Sequence, residues 1–395
     1  MSAPTGWAPP PYAASLGDVL PAVLASLGIE LPHLDRHYLP QAGAEPGSLH
    51  TPRIVLPPVT KAVVALVDGL GSKQLRRRSG HAPFLRTLSG PLERLRSGFP
   101  STTATSLASL GTGLSPGQHG LIGTMGLMPS GAALFSHLSW DSGPDPVAYQ
   151  PAPTLLARAA RAGVAVTTVS RGAFAGSALT RAALGGGAFV RAETSADRVA
   201  ATLAALNATP GPALVYLYLD EVDKAGHTAG PDSWQWGEAV EGADRTLRDV
   251  ATALPAGTSL TVTADHGMIE APFADRFDLA TNSDLNDGVA LLGGDPRAGH
   301  VFCRPGARDD VLARWRGVLG EAAVLATREA AIDQGWFGAV RDAVRPRIGD
   351  VVTAMTGAYT VLDSRDCRPA FLGLIGHHGS LSDDETLIPL LHHVA

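Results

Sequence analysis

The apolar residues of this chain collect in short continuous runs instead of alternating with polar ones. Ala62–Val67, Val164–Ser170, Leu214–Leu219 and Ser259–Thr263 each leave no side for water, which predicts central strands covered on both faces. Between them lie Ala- and Leu-rich stretches with helical spacing, over Ala104–Leu110, Pro153–Ala162, Ala196–Leu206 and Ser233–Ala253. This alternation predicts an α/β fold with a largely parallel central sheet and helices on both faces.

The pattern also divides the chain. Residues 1–54 hold one predicted helix, Ala13 to Leu27, followed by a Pro- and Gly-containing approach to Val55, and read as a lead-in packed on the core. Residues 55–270 and 366–395 carry the sheet pattern, which resumes near Phe371. Between them, residues 271–365 mix short strands and helices with Gly and Asp turns, as expected of an inserted cap or an elaborated sheet edge.

Composition narrows the function. Of the 395 residues 45% are hydrophobic and 17% charged, enough apolar material for an extensive core. The formal net charge of −6 and the absence of a basic block beyond Arg76, Arg77 and Arg78 disfavour an extended nucleic-acid surface. Two cysteines, Cys303 and Cys367, make neither a disulfide framework nor a thiolate metal site, so any metal must be held by histidines and carboxylates. The N-terminus lacks early Lys or Arg and is broken by prolines, and no stretch approaches the ~18 apolar residues of a membrane span; the expected location is cytoplasmic.

In doubly wound sheets ligands gather beyond the carboxyl ends of the strands. Four polar clusters follow apolar runs there: Asp68; the stretch from Asp220 through Asp223 to His227; Asp265-His266; and His377-His378. Asp68, Asp223, His227, Asp265, His266 and one of the late histidines form an oxygen and imidazole set suited to zinc or a similar divalent ion. Asp223 and His227 would converge on an ion if the turn across Gly226 is compact. The segment from Phe99 to His119 adds hydroxyls at a predicted helix start, where N–H groups favour an alkoxide and a bound phosphate. The competing reading is that Thr102, Thr103 and Thr105 cap that helix.

The order of these motifs resembles the nucleotide pyrophosphatase/phosphodiesterase family of the alkaline phosphatase superfamily. The motifs are an Asp; F-P-x-x-T running to T-G-x-x-P-x-x-H-G; D-x-x-x-H with G-P; D-H-G-M; and G-x-H-G, over about residues 62 to 380. The resemblance implies an alkaline phosphatase-like fold and a phosphoester hydrolase. It makes Thr103 the nucleophile and selects Asp223 over Asp220 and His378 over His377. It places one ion, zinc or alternatively manganese, on Asp223, His227 and His378. A second ion falls on Asp68, Asp265, His266 and the Thr103 oxygen. Two divalent ions then balance three carboxylates and an ionised Thr103. A covalent phospho-threonine, opened by water, follows, with net retention at phosphorus.

Two departures from the family pattern stand out. Thr124 occupies the position of an Asn that helps to bind a phosphoryl oxygen, and Ala-Thr-Ser-Leu follows Thr103 where Phe-Pro-Asn-His is common. The expected substrate is a small organic phosphodiester or pyrophosphate. A phosphomonoesterase or phosphonate hydrolase on the same core is the alternative, and a silent metal-binding module the least favoured. A monoester dianion asks for an extra cation, for which Arg171 is the one residue to name.

Overall fold

The computed structural model describes residues 12, 14–32, 34, 54–90 and 94–395. Its main sheet has six strands: β1 (Lys61–Val67), β2 (Ala165–Ser170), β3 (Ala188–Arg191), β4 (Ala213–Leu219), β5 (Thr258–Thr263) and β6 (Leu390–Val394). Their spatial order is β6-β5-β1-β4-β2-β3, with every neighbouring pair parallel except β6 against β5. The predicted runs thus became the interior strands. Consecutive residues such as Val63 and Val64 in β1 are both fully buried, so helices cover both sheet faces, and Leu107, Leu156, Val240 and Leu247 share one core with the strands.

Parallel pairing at equal register decides where the chemistry collects. Lys61 of β1 lies opposite both Ala213 of β4 and Thr258 of β5, so three central strands end side by side, at Val67, Leu219 and Thr263. Asp68, Asp220 and Asp265 follow within two residues of those ends.

A second six-stranded sheet is antiparallel. Its order is Ala323–Thr327, Val351–Met355, Ala298–Cys303, Val289–Asp295, Met125–Leu127, Leu134–Ser136. Residues 271–365 therefore supply four of its strands, and the segment after the candidate nucleophile helix supplies two. Apolar clusters of its own back this sheet, one around the buried Trp315, whose indole N–H donates to the Leu285 carbonyl at 2.9 Å.

Two expectations change. In the predicted first helix, Ala13 lies outside the described residues, and the α-helix runs only over Val19–Ser26 after a 3-10 turn at Leu16–Asp18. The Asp18 carboxylate there accepts the Ser15 N–H at 2.8 Å, a capping box that sets the start. The sheet is not resumed at Phe371, which sits in a helical turn begun by Pro369; the chain rejoins it at Leu390, as the antiparallel edge strand β6.

Candidate functional site

The site is built at the carboxyl ends of β1, β4 and β5. Gly69, directly after Asp68, has φ +72, and a Cβ there would stand 2.9 Å from the Asp223 Cα, so only glycine lets the β1 turn approach so closely. Asp223 and His227 do not converge through a turn. They occupy one face of the helix Glu221–Ala229, four residues apart, with Asp220 at its N-cap. The loop bearing His378 packs on that helix, since a Cβ at Gly376 would lie 2.3 Å from the Gly226 carbonyl oxygen.

Thr103 opens the helix Thr103–Thr112. Its neighbour Thr102 has the N-cap position but makes no side-chain cap bond, and Thr105 accepts the Gly123 N–H at 2.9 Å. Thr103 Oγ1 instead lies 3.2 Å from His266 Nε2. The same nitrogen is 3.4 Å from Asp68 Oδ1 and 3.4 Å from Asp265 Oδ2. Asp223 Oδ1 is 3.4 Å from His227 Nε2 and 3.9 Å from His378 Nε2, and those two nitrogens are 3.3 Å apart. The His266 and His378 rings stack with centroids 3.5 Å apart.

Hydrogen bonding behind these groups decides which atoms face inward. The Nδ1 atoms of His227, His266 and His378 contact the carbonyls of Gly376, Gly267 and Ser101 at 2.8, 2.9 and 2.9 Å. A carbonyl only accepts, so each Nδ1 carries the proton and each Nε2 presents a lone pair to the others. The carboxylates follow the same plan. Asp265 Oδ1 accepts the Gly69 and His266 N–H groups, each at 3.0 Å, and Asp68 Oδ2 accepts the Tyr218 hydroxyl. Asp68 Oδ1, Asp223 Oδ1 and Asp265 Oδ2 are buried with no hydrogen-bond partner among the described residues.

Buried acceptors facing acceptors are costly unless a cation lies between them. Desolvation, then the charges of Asp265 and Asp223, pushes the Asp68 carboxyl well above the usual carboxylate range. Burial, then the neighbouring His266 and His227, holds His378 well below an ordinary imidazole. The residues therefore fit divalent ions: donor atoms of Asp68, Asp265 and His266 lie within 4.8 Å of one another, as do those of Asp223, His266 and His378. His227 contacts the second group through Asp223 and His378.

Other sequence candidates fall elsewhere. Asp220 turns to cations, bonding Lys224 and lying 3.7 Å from both Arg198 and Arg171. His377 is buried against Phe371. Arg171 is engaged by Glu193 and Asp220. The Thr124 N–H donates to Asp295 Oδ2 at 3.0 Å, beside the loop that carries His378.

Three features escaped the sequence reading. Tyr218 orients Asp68; its signal was a phenol, one of two in the apolar strand Ala213–Leu219, where a buried hydroxyl calls for a partner. Asp295 ends a strand of the second sheet and carried no signal beyond a Gly-Gly-Asp-Pro turn. Arg297 and Glu385 form a fully buried pair, Nε to Oε1 at 2.6 Å and Nη2 to Oε2 at 2.8 Å. Glu385 Oε1 also accepts the Ser380 N–H at 2.9 Å, and its backbone oxygen the Gly267 N–H at 2.7 Å. The pair therefore fastens the second sheet to the loops carrying His378 and His266.

Among the described residues no helix is long and apolar enough to cross a membrane. A comparison with curated proteins found no significant match. Among solved structures the chain is similar to murine ectonucleotide pyrophosphatase/phosphodiesterase 5, at 19% identity and a TM-score of 0.68 over 84% of this chain and 88% of that one. An inactive Thr-to-Ala form of that protein, in complex with AMP, has the same TM-score and identity and covers 85% of this chain and 88% of its own. Phosphonoacetate hydrolase from Sinorhizobium meliloti, in complex with phosphonoformate, is similar at 21% identity and a TM-score of 0.63, over 84% and 89% of the two chains. Residues 62–381 match the family described as type I phosphodiesterase / nucleotide pyrophosphatase. That span runs from β1 to just past His378, and the chain accordingly belongs to this family of metal-dependent, two-metal-ion hydrolases and is a phosphoric ester hydrolase.

Proposed function

We propose that the chain hydrolyses a phosphodiester or pyrophosphate bond in a small organic phosphate, through a covalent intermediate on Thr103. One observation carries the reading: the Thr103 hydroxyl stands at a helix start, 3.2 Å from His266 Nε2, beside carboxylate oxygens that have no hydrogen-bond partner among the described residues. Asp223, His227 and His378 would hold one divalent ion, and Asp68, Asp265, His266 and the Thr103 oxygen the other, zinc or manganese by donor type. Bound there, such ions lower the hydroxyl pKa and neutralise charge developing on the phosphoryl oxygens.

Thr103 Oγ1 attacks phosphorus as the bond to the leaving oxygen breaks. The first N–H groups of its helix, which have no carbonyl partner within the helix, receive non-bridging oxygens. Water then attacks the phospho-threonine and restores the hydroxyl, so two in-line steps give net retention at phosphorus. The related murine protein supports this assignment, because its Thr-to-Ala form is described as inactive and holds AMP. Likeness to phosphonoacetate hydrolase keeps phosphonate cleavage as the second reading.

The test is hydrolysis of bis-p-nitrophenyl phosphate, p-nitrophenyl phosphate and phosphonoacetate by the protein loaded with Zn²⁺ or with Mn²⁺. Preference for the diester, abolished by Thr103→Ala with metal content intact, is expected. Preference for the monoester or for phosphonoacetate would overturn the diesterase assignment. Unchanged hydrolysis by Thr103→Ala would remove Thr103 as nucleophile.

A further inference from the structure

Asp295 brings a carboxylate to the site from the second sheet. It ends the strand Val289–Asp295, whose Gly294 pairs with Met125, directly after Thr124. Its Oδ2 accepts the Thr124 N–H at 3.0 Å. Two glycines make room for it. A Cβ at Gly123 would stand 3.0 Å from Asp295 Oδ2, and one at Gly379, next to His378, would stand 3.3 Å from its Cβ.

Its charge is not cancelled locally. Among the described residues no Lys or Arg pairs with Asp295. Burial raises its carboxyl to about 6 against the opposing pull of the Thr124 side chain and N–H and, more weakly, of His266 and His227, so two site imidazoles lie near it. The balance of two divalent ions against three carboxylates and an ionised Thr103 omits Asp295, which adds a negative charge beside Thr124. A phosphodiester brings one negative charge to such a site, whereas a phosphomonoester at neutral pH brings two.

We propose that Asp295 is a specificity-determining residue: its carboxylate, held against Thr124 and the His378 loop, disfavours a dianionic phosphomonoester and so selects a monoanionic diester. The inference rests on the diesterase reading above. It also assigns this selection to a strand that joins the site only through the second sheet.

The experiment measures kcat/KM for bis-p-nitrophenyl phosphate and p-nitrophenyl phosphate at pH 8, with metal content checked, in the wild type, Asp295→Asn and Asp295→Glu. Asparagine keeps an oxygen for the Thr124 N–H and loses only the charge. The monoester-to-diester ratio should rise about 10-fold in Asp295→Asn, the scale of one charge acting over roughly 10 Å at an effective dielectric of about 20. It should stay near wild type in Asp295→Glu.

Inorganic phosphate, measured by calorimetry, should bind about 10-fold more tightly to Asp295→Asn and to a second neutral variant, Asp295→Ser; this readout stands even where turnover is lost. An unchanged ratio together with unchanged phosphate affinity overturns the role of Asp295. A wild-type preference for the monoester overturns the diesterase reading instead, and the two failures are thereby told apart.

Discussion

Replacing Arg297 by methionine should destabilise the protein far more than its distance in sequence from the candidate site motifs implies. The guanidinium makes two bonds to Glu385 and also donates to the carbonyls of Tyr359 at 2.6 Å and Met355 at 3.2 Å. Neither Arg297 nor Glu385 has solvent access. Methionine fills much of the same volume but leaves the Glu385 carboxylate buried without its cation, a loss of about 3–5 kcal/mol for a broken buried pair. Replacing both residues, as Arg297→Met with Glu385→Leu, removes the orphaned charge, and most of that loss should return.

Denaturant unfolding with linear extrapolation measures both variants, the midpoint moving while the slope stays constant. The loops released by the single change carry His378 and His266, so its metal affinity should fall as well. A single-variant loss below about 1 kcal/mol, or a double variant no more stable than the single one, would refute the reasoning.

Tyr218→Phe removes the hydroxyl that holds Asp68 Oδ2 and should weaken metal binding about 10- to 100-fold, read by titration against a competing chelator; unchanged affinity would deny Tyr218 its orienting part. Gly376→Ala drives a methyl to 2.3 Å from the Gly226 carbonyl and 2.4 Å from Met268 Sδ, so about 1–3 kcal/mol of stability should be lost in thermal unfolding; an unshifted transition would contradict that packing. Acid should destabilise the fold through three buried histidines outside the candidate metal site: burial lowers His119 to about 3, His137 to about 4 and His300 to about 3. Folded values below the unfolded one favour the neutral rings, so their contribution is complete above pH ~6.5 and is lost as pH falls, at about 2 kcal/mol per histidine by pH 5. Stability flat between pH 7 and 5 would count against this.

How much of this was legible in the chain depended on range. The four central strands were readable because burial on both faces leaves them apolar, aromatic, β-branched or small hydroxyl residues and no charge beyond Lys61 at the start of β1, a constraint written in consecutive letters. The candidate residues were legible for the same reason, since Asp68, Asp223, His227, Asp265 and His266 stand beyond such runs and the late histidines in a Gly-flanked turn. The competing pairs were not decided by spacing. Asp220 and Asp223 differ because Lys224 bonds Asp220 and two distant cations, Arg198 and Arg171, gather beside it. His377 and His378 differ because successive residues of a short extended segment point opposite ways, one toward Phe371 and the other toward Asp223.

Local chemistry along the chain was thus enough for the strand runs, the ligand types and the order of the motifs, since each depends on neighbours a few residues away. The tertiary structure alone decided the rest. It turned the compact link between Asp223 and His227 into a helix face and set the tautomers of His227 and His378 through the carbonyls of Gly376 and Ser101, contributed by other loops. It also carried Asp295 and Arg297 from a separate antiparallel sheet to the edge of the site. Those contacts join residues tens to hundreds of positions apart, and no pattern of nearby letters encodes a pairing whose geometry exists only once both sheets are packed.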